Sequence, residues 1–111
     1  MNLQQIDPDI FIGAQMSVEN IKTLAEAGFK TIVCNRPDHE EPDQPDFSSI
    51  KMVANDYGIK AYYLPISPPT IKKSDVETMQ TILKTASLPL LAYCHHGTRS
   101  LHLYRLARLY S

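Results

Sequence analysis

Apolar side chains recur in two patterns along the chain. Three short runs rich in β-branched and aromatic residues read as buried strands: Thr31-Ile32-Val33-Cys34, Ala61-Tyr62-Tyr63-Leu64 and Leu90-Leu91-Ala92-Tyr93. Between them, apolar residues return every three to four positions, the spacing of one helix face. Val18, Ile21, Leu24 and Ala25 predict a helix over Ser17–Ala27, and Phe47, Ile50, Val53 and Ala54 predict one over Asp46–Tyr57. Gly28 and Gly58 follow these helices as stops. A third helix starts at Ser74-Asp75-Val76-Glu77, a capping box, and continues through Met79, Ile82 and Leu83. The last, about Thr98–Tyr110, carries Leu103, Leu106, Ala107 and Tyr110 on one face and ends near Ser111. At the front, Asn2–Ile6 and Ile10–Ala14 flank Asp7-Pro8-Asp9, which reads as a hairpin turn.

Strand and helix then alternate to the end of the chain. That order predicts an α/β fold, a small and mainly parallel sheet flanked by helices. At 111 residues, positions 1–111 read as a single domain. The 43% apolar and 21% charged residues fit a soluble globular protein and exclude disordered, collagen-like and coiled-coil chains. With 11 basic against 12 acidic residues there is no electrostatic footprint for nucleic acid. The first residues lack the basic and apolar regions of an export signal. The apolar stretch Leu88–Tyr93 falls far short of the ~20 residues a spanning helix needs. Cys34 and Cys94 are too few for a disulfide framework and are expected as thiols. Cytoplasmic location, with no membrane partner, is the expectation.

In parallel sheets, sites form beyond the carboxyl ends of the strands. Three loops leave such ends here: Asn35–Pro45, Pro65–Lys73 and Cys94–Arg99. Six of the eight prolines (37, 42, 45, 65, 68 and 69) lie in the first two, which makes those loops candidates for stiff walls around a site. The third carries the chemistry, Cys94-His95-His96-Gly97-Thr98-Arg99-Ser100. It sets a thiol at the end of a buried strand, then a glycine turn, then a helix N-terminus. Such a loop turns backbone N–H groups inward as an anion cradle, with Gly97 supplying the backbone freedom. The helix dipole and Arg99 are expected to favour the thiolate of Cys94, a nucleophile poised beside an oxyanion site. His95 and His96 are expected to point apart and line the pocket mouth. With only distant His39 and His102 as further histidines, no zinc-like spacing exists, and no metal or other cofactor is expected.

The Cys94–Ser100 segment resembles the active loop of the cysteine phosphatases, Cys-x5-Arg-Ser/Thr, although only four residues separate Cys94 from Arg99. Rhodanese-type sulfurtransferases have a similarly short loop. A wider resemblance covers nearly the whole chain. Asn35-Arg36-Pro37-Asp38, Glu40-Glu41-Pro42 and Gln44-Pro45, ahead of Tyr93-Cys94 and Gly97-Thr98-Arg99-Ser100, are similar to the phosphatase-like domain of the bacterial beta-lactamase-hydrolase-like proteins, domain of unknown function 442. That family occurs alone or fused to a metallo-beta-lactamase-like domain, and the resemblance implies a protein-tyrosine-phosphatase-like fold. It implies Cys94 as nucleophile, Arg99 as oxyanion clamp and Ser100 as a hydroxyl that bonds the thiolate or aids hydrolysis of the intermediate. Tyr93 stands where many such phosphatases have His. Pro65-Ile66-Ser67-Pro68-Pro69 has no carboxylate where dual-specificity phosphatases place their general acid.

Asp38 is the candidate substitute for that acid, with Glu40 and Glu41 beside it. Arg36 is placed either to add to anion binding or to pair with Glu40 or Glu41, and Asn35 to bond across loops. Cys34 reads either as a buried apolar thiol or as a resolving partner for Cys94. Three functions follow. The first is hydrolysis of a phosphomonoester on a small molecule or phosphoprotein. The second is sulfur transfer from a sulfane donor, which fusion partners resembling persulfide dioxygenases also favour. The third is anion binding or redox sensing without turnover. Oligomeric state leaves no mark in the sequence.

Overall fold

The structure, a computed structural model, describes residues 1–67 and 69–110. Pro68 of the second proline loop and Ser111 after the last helix lie outside the described residues. Five strands form one sheet: β1 (Leu3–Asp7), β2 (Ile10–Gly13), β3 (Thr31–Cys34), β4 (Lys60–Tyr63) and β5 (Leu90–Tyr93). Their spatial order is β1-β2-β5-β3-β4. Only β1 runs antiparallel, joined to β2 by the hairpin turn at Asp7–Asp9; every other pairing is parallel. The fold is thus α/β with a mainly parallel sheet.

Four helices complete it: α1 (Asn20–Glu26), α2 (Phe47–Asp56), α3 (Lys73–Thr85) and α4 (Thr98–Leu109). Strand side chains alternate between faces, and the core divides accordingly. Leu90 and Ala92 of β5 join Ile10, Ile12, Val33, Met79, Leu103 and Ala107 in one cluster; Leu91 and Tyr93 join Ile21, Leu24, Ile32, Ile50 and Ala54 in the other. Helices α3 and α4 therefore cover one face, α1 and α2 the other. All four residues of β5 are buried, as a central parallel strand requires.

Two helix starts differ from the sequence reading. Helix α1 begins at Asn20, not Ser17, because the Asn20 side chain accepts from the Ser17 N–H (3.0 Å) and hydroxyl (3.1 Å) and holds that stretch as a turn. The Ser74–Glu77 box is not the cap of α3. The helix starts one residue earlier, and the Asp75 carboxylate accepts from the Lys72 N–H at 2.9 Å. Among the described residues no helix is long and apolar enough to cross a membrane.

Hydrogen bonding runs past the strand ends and ties the loops of one edge together. The Asn35 N–H donates to Tyr93 O (2.8 Å), Leu64 to Cys34 O (2.9 Å) and Ile66 to Asn35 O (2.9 Å). Across β5, the Cys94 N–H donates to Gly13 O (3.4 Å) and Gln15 to His95 O (3.1 Å). Four loops thus meet around Cys94.

Candidate active site

Cys94 follows the last residue of β5 and is fully buried. The chain turns at Gly97, φ +99°, and α4 begins at Thr98. That turn aims the Gly97 N–H at the Cys94 sulfur, 3.1 Å away. The first bond inside α4 runs from Leu101 N–H to Gly97 O (3.0 Å), so helix geometry leaves the amides of Thr98, Arg99 and Ser100 without intrahelical acceptors. These donors and the positive end of α4 converge at the mouth of the Cys94 loop.

Arg99 rises from the first turn of α4 and reaches across the loop. Its Nη1 donates to Glu40 Oε2 (2.8 Å) and to the carbonyl of Ile66 (3.0 Å), and its Nη2 to Glu40 Oε1 (2.9 Å). The carboxylate of Glu40 and then the sulfur of Cys94 raise the Arg99 pKa against the effect of burial. Arg36, almost completely buried, holds the same acidic pair from beneath: Nε to Glu40 Oε1 (2.8 Å), Nη2 to Glu41 Oε1 (2.7 Å) and Nη1 to Gln15 Oε1 (3.2 Å). Of the two roles open to Arg36, it performs the pairing. Arg99 above all, helped by Arg36, holds Glu40 down at a pKa of about 2.

His95 and His96 do not point apart. Their rings stack at 3.9 Å with 17° between planes, and His95 Nε2 lies 2.9 Å from Glu41 Oε1. His96, Gly97 and Thr98 border a groove of about 380 Å³ shared with Leu3, Ile12 and Gly13. Among the described residues no group of three or more His, Cys, Asp or Glu is arranged to hold a metal ion.

Asp38, considered above as a proton donor, is engaged at the start of α2. Its Oδ1 accepts from the Phe47 N–H at 2.8 Å, while its own N–H donates to the Tyr63 hydroxyl at 2.9 Å. The Ser100 hydroxyl donates to Asn35 Oδ1 at 2.7 Å. Asn35 Nδ2 donates to Leu64 O at 2.9 Å, so this fully buried amide binds α4 to the β4–α3 loop. Cys34 sits on β3, beside β5 and in register with Tyr93, and its thiol donates to Arg36 O at 3.3 Å. Both cysteines are free; burial pushes the Cys34 thiol and the Tyr93 hydroxyl up.

The sequence reading placed Cys94, Arg99 and Gly97 in one loop, and the structure brings them together. It missed the grip of Glu40 on Arg99, the part of Gln15 and the Ile66 carbonyl. No local pattern marks these, since each depends on which strands are neighbours.

Known proteins share this fold. A candidate phosphatase of Neisseria meningitidis, known from a crystal structure, is 39% identical with a TM-score of 0.83 over 90% of this chain and 71% of its own. The core catalytic domain of the PP-IP phosphatase of S. cerevisiae, crystallised with citrate, shares the fold at 20% identity and TM-score 0.68, over 96% of this chain and 76% of its own. A beta-lactamase hydrolase-like protein of Agrobacterium fabrum is 36% identical over 106 residues, 96% of this chain and 25% of its own length. The chain thus spans about a quarter of the length of the curated relatives it matches. Family and neighbours alike point to a hydrolase. Since the profile of the phosphatase-like domain of beta-lactamase hydrolase-like proteins matches residues 2–110, the chain belongs to that family.

Proposed function

We propose that this domain hydrolyses phosphomonoesters through a covalent cysteinyl-phosphate. The observation that carries the reading is the Gly97 N–H aimed at the Cys94 sulfur at the N-terminus of α4, with Arg99 rising from the first turn of that helix. Cys94 acts as the thiolate and attacks phosphorus; the S–P bond forms as the bond to the leaving oxygen breaks. Arg99 and the amides of Thr98, Arg99 and Ser100 stabilise the charge on the equatorial oxygens. Water then attacks phosphorus, the S–P bond breaks, and phosphate leaves with the thiolate restored. His95, His96, Gly97 and Thr98 form the rim of the anion site. Ser100 serves by holding Asn35, and through it the loop, in register.

The substrate follows from what the loop lacks. Asp38 is bound at a helix start and Glu40, at a pKa of about 2, is held as the anion. Neither of these two carboxyl groups is thus free to protonate a departing alkoxide, a loss of about 10²–10⁴-fold. The substrate class is therefore a phosphate with a good leaving group, such as an aryl phosphate on a small molecule or phosphoprotein. The four-residue spacing from Cys94 to Arg99 favours a second reading, in which Cys94 carries sulfane sulfur as a persulfide.

Acid-quenched intact mass spectrometry separates the two. Wild type and Cys94→Ser are each exposed to 4-nitrophenyl phosphate and, separately, to thiosulfate. A phosphoryl adduct on wild type alone is expected. A sulfur adduct without phosphoryl transfers the protein to the sulfur-carrying class, and neither adduct, with no phosphate released, leaves an anion-binding domain.

A further inference from the structure

In-line attack by Cys94 sets the leaving oxygen opposite the sulfur, at the mouth of the loop. The group that oxygen carries then turns toward whichever wall is open. Two walls are closed by ion pairs. On one, Arg99 bonds Glu40 and the Ile66 carbonyl; on the other, Glu41 is bound by Arg36 and lies 2.9 Å from His95 Nε2. The third wall is thin. Gly97 turns its N–H to the Cys94 sulfur, and a Cβ built on its other side would touch Ile12 and the Gly13 carbonyl. A single residue without a side chain thus separates the thiol from the groove of about 380 Å³.

This groove lies between the first turn of α4 and the β1–β2 hairpin. Gln4 and Ile12, in register on β1 and β2, line it from the hairpin and Leu101 lines it from α4, with Ala14 and Thr98 exposed beside them. Among the described residues no lysine, arginine, aspartate or glutamate borders it. A charged group finds no partner there, and burying a charge without one is costly. The volume falls within the range of about 300–1,000 Å³ found for small-molecule sites. Apolar Ile12 and Leu101 suit the faces of a ring, while the Gln4 amide and the Thr98 hydroxyl suit polar groups at its edge. The acidic side of the mouth, with Glu40 and Glu41, disfavours an anionic leaving group as well.

From this enclosure, and resting on the reading of Cys94 as the nucleophile, we infer that the groove between α4 and the β1–β2 hairpin receives the leaving group, an uncharged aromatic ring, and that Gln4, Ile12, Ala14 and Leu101 set its specificity. The test uses phenyl, 2-naphthyl and 4-carboxyphenyl phosphate with wild type, Ala14→Phe and Gln4→Lys. Each variant is compared with wild type on the same ester, so that leaving-group chemistry cancels. Ala14→Phe fills the groove and lowers kcat/KM for 2-naphthyl phosphate by about tenfold or more. Orthophosphate has no organic part, and its affinity in calorimetry stays within about twofold of wild type in that variant. Gln4→Lys sets a cation in the groove and raises kcat/KM for 4-carboxyphenyl phosphate about fivefold relative to phenyl phosphate. Wild-type turnover of 2-naphthyl phosphate in Ala14→Phe, or equal changes on the charged and uncharged esters in Gln4→Lys, overturns the inference. If Ala14→Phe loses orthophosphate as well, its loop is disturbed and the Gln4→Lys ratio decides alone. If wild type releases phosphate from none of the three esters and forms no cysteinyl-phosphate, the hydrolase reading itself falls and the groove assignment with it; release by wild type without discrimination by the variants removes the groove assignment only.

Discussion

A side chain at position 97 meets two obstacles. The backbone there has φ +99°, and a Cβ built on it lies 3.3 Å from Ile12 Cγ2 and 3.5 Å from the Gly13 carbonyl. Gly97→Ala is expected to cost about 1–2 kcal/mol from the left-handed conformation alone. It also displaces the amide aimed at the Cys94 sulfur, so the urea midpoint and phosphate affinity are expected to fall together. Asn35 presents the complementary case of a buried polar group bonded at both ends of its side-chain amide. Asn35→Ala leaves the Ser100 hydroxyl and the Leu64 carbonyl buried and unpaired, at about 1–3 kcal/mol each, and denaturant titration reads the loss. Glu40 gives a dependence on pH. Its folded pKa of about 2 lies below the ordinary value of 4.5, so its contribution to stability is full above 4.5 and lost as pH falls toward 2. The urea midpoint of wild type is expected to decline through that window more steeply than that of Glu40→Gln. Parallel curves for the two proteins exclude a stabilising ion pair.

At the scale of elements, the start of α2 carries two aspartates. Asp46 accepts from the Ser49 N–H at 3.0 Å and Asp38 from the Phe47 N–H at 2.8 Å, so a residue nine positions earlier completes the cap. Asp38→Ala is expected to lower stability by about 1 kcal/mol and to leave the ratio of aryl to alkyl phosphate turnover unchanged. A collapse of alkyl turnover alone restores Asp38 as a proton donor. The same region shows where reading a sequence stops. The start of α2 near Asp46 was legible from the spacing of Phe47, Ile50, Val53 and Ala54, whereas the second cap needs the β3–α2 loop to fold back on the helix. The start of α3 shows a different limit. Ser74 and Glu77 fit the spacing of a cap, yet Asp75 bonds Lys72, because candidates two residues apart compete for the same helix start.

At the scale of the molecule, the strand order governs function. Placing β5 between β2 and β3 brings the Cys94 loop against Gly13 and Gln15 on one side and Asn35 and Arg36 on the other. An anion bound there touches elements from both halves of the chain and stabilises the fold as a whole. Orthophosphate at one hundred times its Kd is expected to add about 2.7 kcal/mol, a rise in Tm of several degrees. Scanning calorimetry of Arg99→Ala is expected to show little of that rise. An equal rise in the variant places the anion away from Arg99.

Much of this protein follows from local pattern. The alternation of strands and helices, the cysteine–glycine–arginine order of one loop and the start of α2 at Asp46 all reside within a few neighbouring residues, where periodicity and backbone geometry act directly. The sequence also held Glu40 within reach of Arg36, four positions away. It did not hold Glu40 against Arg99, Ser100 against Asn35, or Asp38 at the first amide of α2. Those contacts span 59, 65 and 9 residues; the first two join segments that meet only after β3 and β5 have paired, and the third needs the β3–α2 loop to fold back on its own helix. Local chemistry determined which residues are able to act. Strand order, a choice made by packing the whole core, decided which of them face one another.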